Sequence, residues 1–320
     1  MEIYRIIDEI QPVENSVLTI GSFDGLHKGH QEIIKKVVNT AQALDFPSVV
    51  ITFDPHPKKV LMNNTPDRFH QLIDVDKKME LLEILNIDIT CVIPFDLEFS
   101  NISATEFLYN IVIPCFKPYE IIVGYDHRFG HNREGDGEFL KTHSENGNYI
   151  VDILTEIKDE DEIISSTHIR HLVADGNVRR ASFELGWVYG FKADVVHGSG
   201  RGHQLHYPTA NFIPTFTNQL LPKNGVYFAR GLVNELCVYG MCNLGYRPTF
   251  GEEVFVMEIH FFENFDEQLY DKTIEVQFLE RIRDEKTFDS PEELISQLKK
   301  DQEYCLSRIN VYTEEETHAT

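Results

Sequence analysis

The chain has 320 residues, 42% hydrophobic and 25% charged, the make-up of a globular protein long enough for two domains with cores of their own. Its formal net charge of −23 argues against non-specific binding to nucleic acid or to an anionic membrane, while local clusters of Arg, Lys and His still leave room for phosphorylated ligands. Five cysteines (Cys91, Cys115, Cys237, Cys242 and Cys305), without a C-x-x-C pair, fit reduced and mostly buried thiols. With no apolar run of membrane-spanning length and no signal pattern at the N-terminus, the expected location is cytoplasmic.

The first half alternates strand and helix. A strand is expected at Val17–Ile20, and a helix at Gln31–Leu44, where Ile33, Ile34, Val37, Val38, Ala41 and Leu44 keep a helical period. Between them lies GSFDGLHKGH, Gly21 to His30. Gly21, Gly25 and Gly29 allow a tight turn and close approach to a ligand. His27 and His30, three apart where the helix begins, can meet on one face. A helix N-terminus there is a seat for phosphate, and added donors suit charge growing on a departing pyrophosphate. The plainer alternative is a glycine turn that only packs a helix on a sheet. Zinc is disfavoured, since no third ligand stands at metal spacing.

Further strands are expected at Val49–Phe53, Ile89–Ile93 and Ile121–Val123, with helices at Val75–Leu85 and Thr105–Ile113. That order predicts an α/β domain with a parallel sheet and covering helices, its ligands at the carboxyl ends of the strands. Three polar loops then fall on one rim: GSFDGLHKGH, TFDPHP (Thr52 to Pro57) and GYDHRFG (Gly124 to Gly130). ISSTHIR, Ile164 to Arg170, adds the hydroxyls of Ser165, Ser166 and Thr167 at the start of a short helix, with Arg170 a turn later. Such a set can hold a triphosphate or can be an ordinary Ser/Thr cap.

After Leu185 the texture changes to strand-like segments at Trp187–Val196, Val226–Val233, Val238–Leu244, Val254–Phe262 and Thr273–Phe278, which predict an antiparallel barrel or sandwich. A last helix is expected from Pro291, capped by Ser290, with Leu294, Ile295, Leu298, Cys305, Leu306 and Ile309 turned to that sheet. The boundary falls near Ser182–Trp187, giving domains 1–184 and 185–312 and a frayed polar tail at 313–320. VVHGSGRGHQLHYPTANF, Val195 to Phe212, places Gly198, Gly200 and Gly202 around Arg201, a loop able to fold over phosphates. The Thr209 hydroxyl and Asn211 amide oxygen that follow are hard ligands suited to magnesium, unless this is only a hairpin loop with a proline turn. NLGYRPTF, Asn243 to Phe250, is another Gly/Pro turn. Glu258 lies within an apolar strand and shares a face with Val256 and His260, so it either meets solvent or takes a proton.

Taken in order, GSFDGLHKGH, TFDPHP, VGYDHRFGHNREGD, ISSTHIR, HGSGRGHQLHYPTAN, NLGYRPTF, MEIHFF and LYDKTIEVQFLERIRDEKTF resemble the bacterial bifunctional riboflavin kinase/FMN adenylyltransferase family over about Val17 to Asp301. The resemblance implies a Rossmann-like nucleotidylyltransferase domain, a flavokinase β-barrel with a terminal helix, and two reactions. FMN is adenylylated by ATP to FAD in the first domain, and riboflavin is phosphorylated by Mg-ATP in the second. Riboflavin, FMN, FAD and ATP are then the partners, and flavin is substrate rather than redox cofactor. By motif match, Gly21, Phe23, Asp24, Gly25, His27, His30, Asp126, Ser165, Ser166, Thr167 and Arg170 surround the ATP of the first site. Gly198, Arg201, Thr209, Asn211 and Arg247 serve the second, Thr209 and Asn211 hold its magnesium, and Glu258 is its base. The chain departs from the family at His127, where an aromatic is usual, at His203, and at His206 and Asp271, where glycine is usual. A single-activity adenylyltransferase with a flavin-sensing barrel, or a flavin carrier without turnover, are the competing expectations.

Overall fold

Continuous apolar runs make central strands. Val17, Leu18, Val49, Val50 and Ile51 are wholly buried, as a strand covered on both faces requires. Four central strands and two edge strands form one parallel sheet: β1 (Glu2–Tyr4), β2 (Ser16–Ile20), β3 (Ser48–Asp54), β4 (Ile89–Pro94), β5 (Pro118–Gly124) and β6 (Ile150–Leu154). Their order is β1-β4-β3-β2-β5-β6. The computed structural model describes residues 1–5, 10–62, 69–159, 162–198, 207–233, 236–249, 252–263 and 269–319; for 247–249, 252–254 and 314–319 it describes the backbone alone.

The crossovers are α1 (Lys28–Leu44), α2 (Pro57–Leu61), α3 (Val75–Ile84), the run α4 (Ala104–Phe107), a π turn and α5 (Ile113–Phe116), and α6 (Gly137–Gly147). Their starts are chemically marked. Asp74 caps α3 by accepting from Lys77 N at 2.7 Å, Asp136 caps α6 through Phe139 N at 2.8 Å, and Ser103 with Glu106 forms a capping box on α4. The chain lays down β2, β3 and β4 in one direction and then returns to place β5 on the other side of β2. The carboxyl ends of β2 and β5 therefore flank the switch point at which open α/β sheets take ligands. The expected parallel sheet is present. β1 and β6 escape sequence reading because one is three residues long and the other, at the sheet edge, has no fully buried position.

The chain divides into two compact units, Met1–His168 and Ile169–Thr320. A small hairpin, β7 (Lys158–Asp159) with β8 (Glu162–Ile163), closes the first. The helix α7 (Ser166–Ala174) begins at its end, and α8 (Val178–Leu185) belongs to the second unit.

In the second unit β9 (Gly190–Val196), β10 (Ala210–Pro214), β11 (Gly225–Val233), β12 (Leu236–Thr249), β13 (Glu252–Phe261) and β14 (Thr273–Arg283) form a closed antiparallel barrel, ordered β10-β13-β12-β11-β14-β9. β10 closes it by pairing with both β9 and β13, which decides barrel over sandwich. The strand β9 starts at Gly190 rather than Trp187. The last helix, α9 (Pro291–Ala319), lays Cys305 and Tyr312 on Phe228, Met241 and Leu279 of the barrel, with Leu298 and Ile309 beside them. Ile295 and Leu306, expected on this face, are 38% and 48% exposed. The face is instead completed by polar anchors: Arg283 holds Asp301 with Nη2 at 2.8 Å, and Glu280 accepts from Tyr304, Arg308 and Tyr312. The helix runs past Thr313, where fraying is expected, because Glu314, Glu315 and Glu316 are themselves good helix formers.

Candidate functional site

The β2–α1 turn has the backbone of a strained loop. Phe23, Gly25 and Leu26 have φ of 47°, 78° and 41°, a region that glycine enters freely and other residues at a cost of roughly 1–3 kcal/mol each. Such a turn persists only if its surroundings overdetermine it, and they do. The Asp24 carboxylate accepts from Leu72 N at 3.0 Å and Ile73 N at 3.4 Å. Lys78, 3% exposed, donates from Nζ to Ser22 O at 2.8 Å and to Thr52 Oγ1 at 3.1 Å. Gln31 Nε2 holds Leu26 O at 2.9 Å, and Ser166 Oγ holds Asp24 O at 2.8 Å. Burial pushes the Lys78 amine down to about 8, against the opposing pull of Asp24 and Asp54.

At the end of the turn His27 is the N-cap of α1, its Nδ1 accepting from His30 N at 3.4 Å. The two imidazoles lie stacked with centroids 3.6 Å apart, and Phe23 meets His30 edge-on at 5.2 Å. The expected meeting of the two histidines is therefore realised. Gly29 permits it, because a Cβ there would stand 3.2 Å from the His27 ring.

Beside this turn opens a cavity of about 630 Å³. All three rim loops line it: Ile20, Gly21 and Ser22 from the first, Phe53, His56 and Pro57 from the second, His127 to Gly130 from the third. Phe95, Phe99, Phe107 and Phe129 extend the aromatic wall begun by Phe53. Every titratable residue on that wall is basic or imidazole: His56, Lys58, His127, Arg128, His131 and Arg133, with no carboxylate among the described residues. In a chain of net charge −23 this is a local reversal of sign. His127 stacks on Phe129 at 5.4 Å; burial, with Arg128 and Arg133 nearby, pushes it down to about 4. Asp126 is exposed and stands next to Gly124 rather than on the cavity wall.

The ISSTHIR segment reaches the same turn through Ser166. Ser165 Oγ accepts from His168 N at 3.2 Å, an ordinary capping bond, and Thr167 is exposed. Arg170 stands one turn along α7, in the second unit. Sequence reasoning missed Lys78, which stands in a run of charged residues, and the phenylalanine wall, which four separate segments assemble.

In the barrel, Asn211 of β10 pairs with Glu258 of β13, which pairs on its other side with Asn243 of β12. Directly opposed residues of an antiparallel ladder share a face, so the three polar side chains form one row. Glu258 is 8% exposed. A Cβ on Gly198 would overlap the Asn211 amide, so glycine there is a requirement of close approach. Thr209 is half-buried just ahead of β10. His260, two residues beyond Glu258, has Nδ1 2.8 Å from Pro208 O. Arg201, Gly200, Gly202, His203 and His206 lie outside the described residues, and Arg247 is described only as backbone on β12, paired with Val254. Asp271 has φ of 62°, which accounts for glycine being usual there.

Three buried thiols, Cys91, Cys242 and Cys305, are raised by burial, the first and last to about 12, so none has nucleophile character. Among the described residues no helix is long and apolar enough to cross a membrane.

Comparison with known proteins agrees with both halves. The FAD synthetase family matches residues 9–168 and the riboflavin kinase family residues 185–309. Bifunctional riboflavin kinase/FMN adenylyltransferases of Listeria monocytogenes and Escherichia coli K12 are each 32% identical, over 90% and 91% of this chain and 91% and 92% of their own. That of Bacillus subtilis is 30% identical over 95% of both chains. A crystal structure from Streptococcus pneumoniae, described as a macrolide-efflux protein, superposes with a TM-score of 0.86 at 32% identity, covering 95% of this chain and 98% of its own. The chain belongs to the bifunctional riboflavin kinase/FMN adenylyltransferase family, transferases that join an FAD synthetase domain to a riboflavin kinase domain.

Proposed function

We propose that the chain converts riboflavin to FMN in its barrel and FMN to FAD in its N-terminal unit, with ATP as donor in both. The observation that carries this reading is the cavity beside the β2–α1 turn, aromatic-walled and, among the described residues, without a carboxylate. A planar flavin needs such walls, and its phosphate needs such cations.

In the first reaction a phosphate oxygen of FMN attacks the α-phosphorus of ATP, the α–β bond breaks and pyrophosphate leaves. The chain supplies no nucleophile, so its contribution is alignment and stabilisation of charge. His27 and His30, held by stacking at the start of α1, are suited to the ATP phosphates, together with the positive end of that helix's dipole. Gly21, Phe23, Gly25 and Asp24 shape the turn that presents them. Asp126, Ser165, Ser166, Thr167 and Arg170 keep the assignments that motif matching implies.

In the second reaction Glu258 takes the proton of the ribityl hydroxyl as that oxygen attacks the γ-phosphorus of ATP and ADP leaves. A buried carboxylate with asparagines on both flanks suits that role better than a solvated surface glutamate would. The Thr209 hydroxyl and Asn211 amide oxygen, with Gly198 giving the amide room, fit magnesium, which when bound neutralises charge on the ATP phosphates. Gly198, Arg201 and Arg247 complete the nucleotide side of this proposal.

The test is incubation of purified protein with riboflavin and Mg-ATP, followed by chromatography of riboflavin, FMN and FAD. Both products are expected. Glu258→Gln abolishes FMN formation and leaves FMN-to-FAD conversion intact, and His30→Ala does the reverse. FAD appearing only when FMN is supplied would reduce the barrel to a flavin-sensing module, and no turnover at all would leave a carrier.

A further inference from the structure

The barrel centre works only if the Glu258 carboxylate and the Thr209–Asn211 pair are held at a fixed separation. Asn211 is set by the ladder, where it pairs with Glu258 directly. Thr209 stands ahead of Ala210, the first residue of β10, on a turn whose Pro208 has no N–H to give. The carbonyl of Pro208 ties that turn to β13, and its partner is His260 Nδ1 at 2.8 Å. A carbonyl oxygen can only accept, so Nδ1 carries the proton and Nε2 of the neutral ring keeps its lone pair. The ring is 9% exposed, Tyr207 meets it edge-on at 5.1 Å and Phe262 at 6.1 Å. Burial pushes its pKa down, so the ring is neutral at pH 7. Strand periodicity puts His260 on the same face of β13 as Glu258.

We propose that His260 is a positioning residue for riboflavin phosphorylation: its Nδ1–H pins the Pro208 carbonyl and so sets the Thr209 hydroxyl against the Glu258 carboxylate. One strand then carries both the base and the anchor of the metal turn. The inference rests on the reading of Glu258, Thr209 and Asn211 as the kinase centre and adds a residue to it.

Three substitutions separate a hydrogen bond from mere bulk. Asparagine places an amide N–H where Nδ1 stands, glutamine reaches the Nε2 position instead, and phenylalanine fills the space with no donor. In full-length protein, His260→Phe and His260→Gln lose about five- to tenfold in kcat/KM for Mg-ATP in FMN formation, the worth of one neutral hydrogen bond, while the KM for riboflavin stays put. His260→Asn restores most of that loss, and FMN-to-FAD conversion by the same samples is unchanged. Independently of activity, ¹⁵N spectra of histidine-labelled wild-type protein show His260 protonated on Nδ1 and bare on Nε2 at pH 7. The proposal is overturned if phenylalanine keeps wild-type constants, if asparagine does no better than phenylalanine, or if the proton sits on Nε2. A wild-type protein that makes no FMN, or a Thr209→Ala variant at full rate, sinks the kinase reading itself, and the proposal with it.

Discussion

Replacing Lys78 with methionine changes how the stability of the N-terminal unit depends on pH, and the size of the change follows from burial. The amine lies behind the β2–α1 turn, 3% exposed, with its ammonium shared between Ser22 O and Thr52 Oγ1. Its pKa is about 8 in the folded protein against 10.5 for a free lysine. Below pH 8 the folded and unfolded chains are both protonated, and folding bears the full cost of burying the charge. Between 8 and 10.5 the unfolded chain holds a proton that the folded one has released, so stability rises with pH. The whole gap corresponds to about 3 kcal/mol, and by pH 9.5 about 2 kcal/mol of it has been gained. Lys78→Met removes this rise. At any single pH the variant trades relief of a buried charge against two lost donor bonds; buried thiols such as Cys91 titrate alike in both proteins, so the difference between wild type and variant in the change with pH isolates Lys78. Urea unfolding followed by far-UV circular dichroism at pH 7 and pH 9.5 measures it, and exposed tyrosines that begin to titrate at the upper pH do so in both proteins. Fluorescence of Trp187, the single tryptophan, marks the second unit's transition in the same samples. Wild-type and variant curves that shift in parallel between the two pH values would refute the reasoning.

Other perturbations follow from the same geometry. His127, held down to about 4 mainly by burial, stays neutral in the fold while the unfolded chain binds a proton near pH 6.5. Stability is therefore lost as pH falls from 6.5 towards 4, and His127→Phe shows less of this loss when urea midpoints at pH 7 and pH 5 are compared. Gly198→Ala drives a methyl into the Asn211 amide, so FMN formation drops at least tenfold in a steady-state assay while FAD formation from FMN holds. Glu280→Gln deprives Arg308, Tyr304 and Tyr312 of a charged acceptor at 2.6, 2.8 and 2.8 Å. It destabilises the second unit by about 1.5–3 kcal/mol, read as a lowered urea midpoint in Trp187 fluorescence.

What can be read from sequence and what cannot divides here along the reach of the interactions. The β2–α1 turn is legible because each of its determinants is local: glycines where the backbone turns back, a histidine at the cap, and a second histidine one helical turn away. The parallel sheet is legible because Val17, Val49 and Ile121 belong to unbroken apolar runs that only a doubly covered strand can use. β10 is not, because PTANF reads as a proline turn, and only closure of the barrel between β9 and β13 makes Ala210–Pro214 a strand. Lys78 is not, because a lysine in a charged helical run reads as solvated until Ser22 and Thr52, 56 and 26 residues away, are folded onto it.

The same distinction explains how an acidic chain comes to hold a cavity lined by cations. Net charge is a property of composition, and −23 says nothing about where individual signs fall. Fold topology decides that. Lys58 arrives from α2, and Arg128 and Arg133 from the segment after β5, so the switch point gathers cations from loops that are far apart in sequence. Three carboxylates beside those loops are engaged elsewhere: Asp24 by the Leu72 and Ile73 amides, Asp136 by the cap of α6 and by Arg128 at 3.6 Å, Glu134 by Ala104 N at 2.7 Å. These acids therefore shape the turn and helix starts around the cavity, while the cavity wall itself carries Lys58, Arg128 and Arg133 and, among the described residues, no carboxylate.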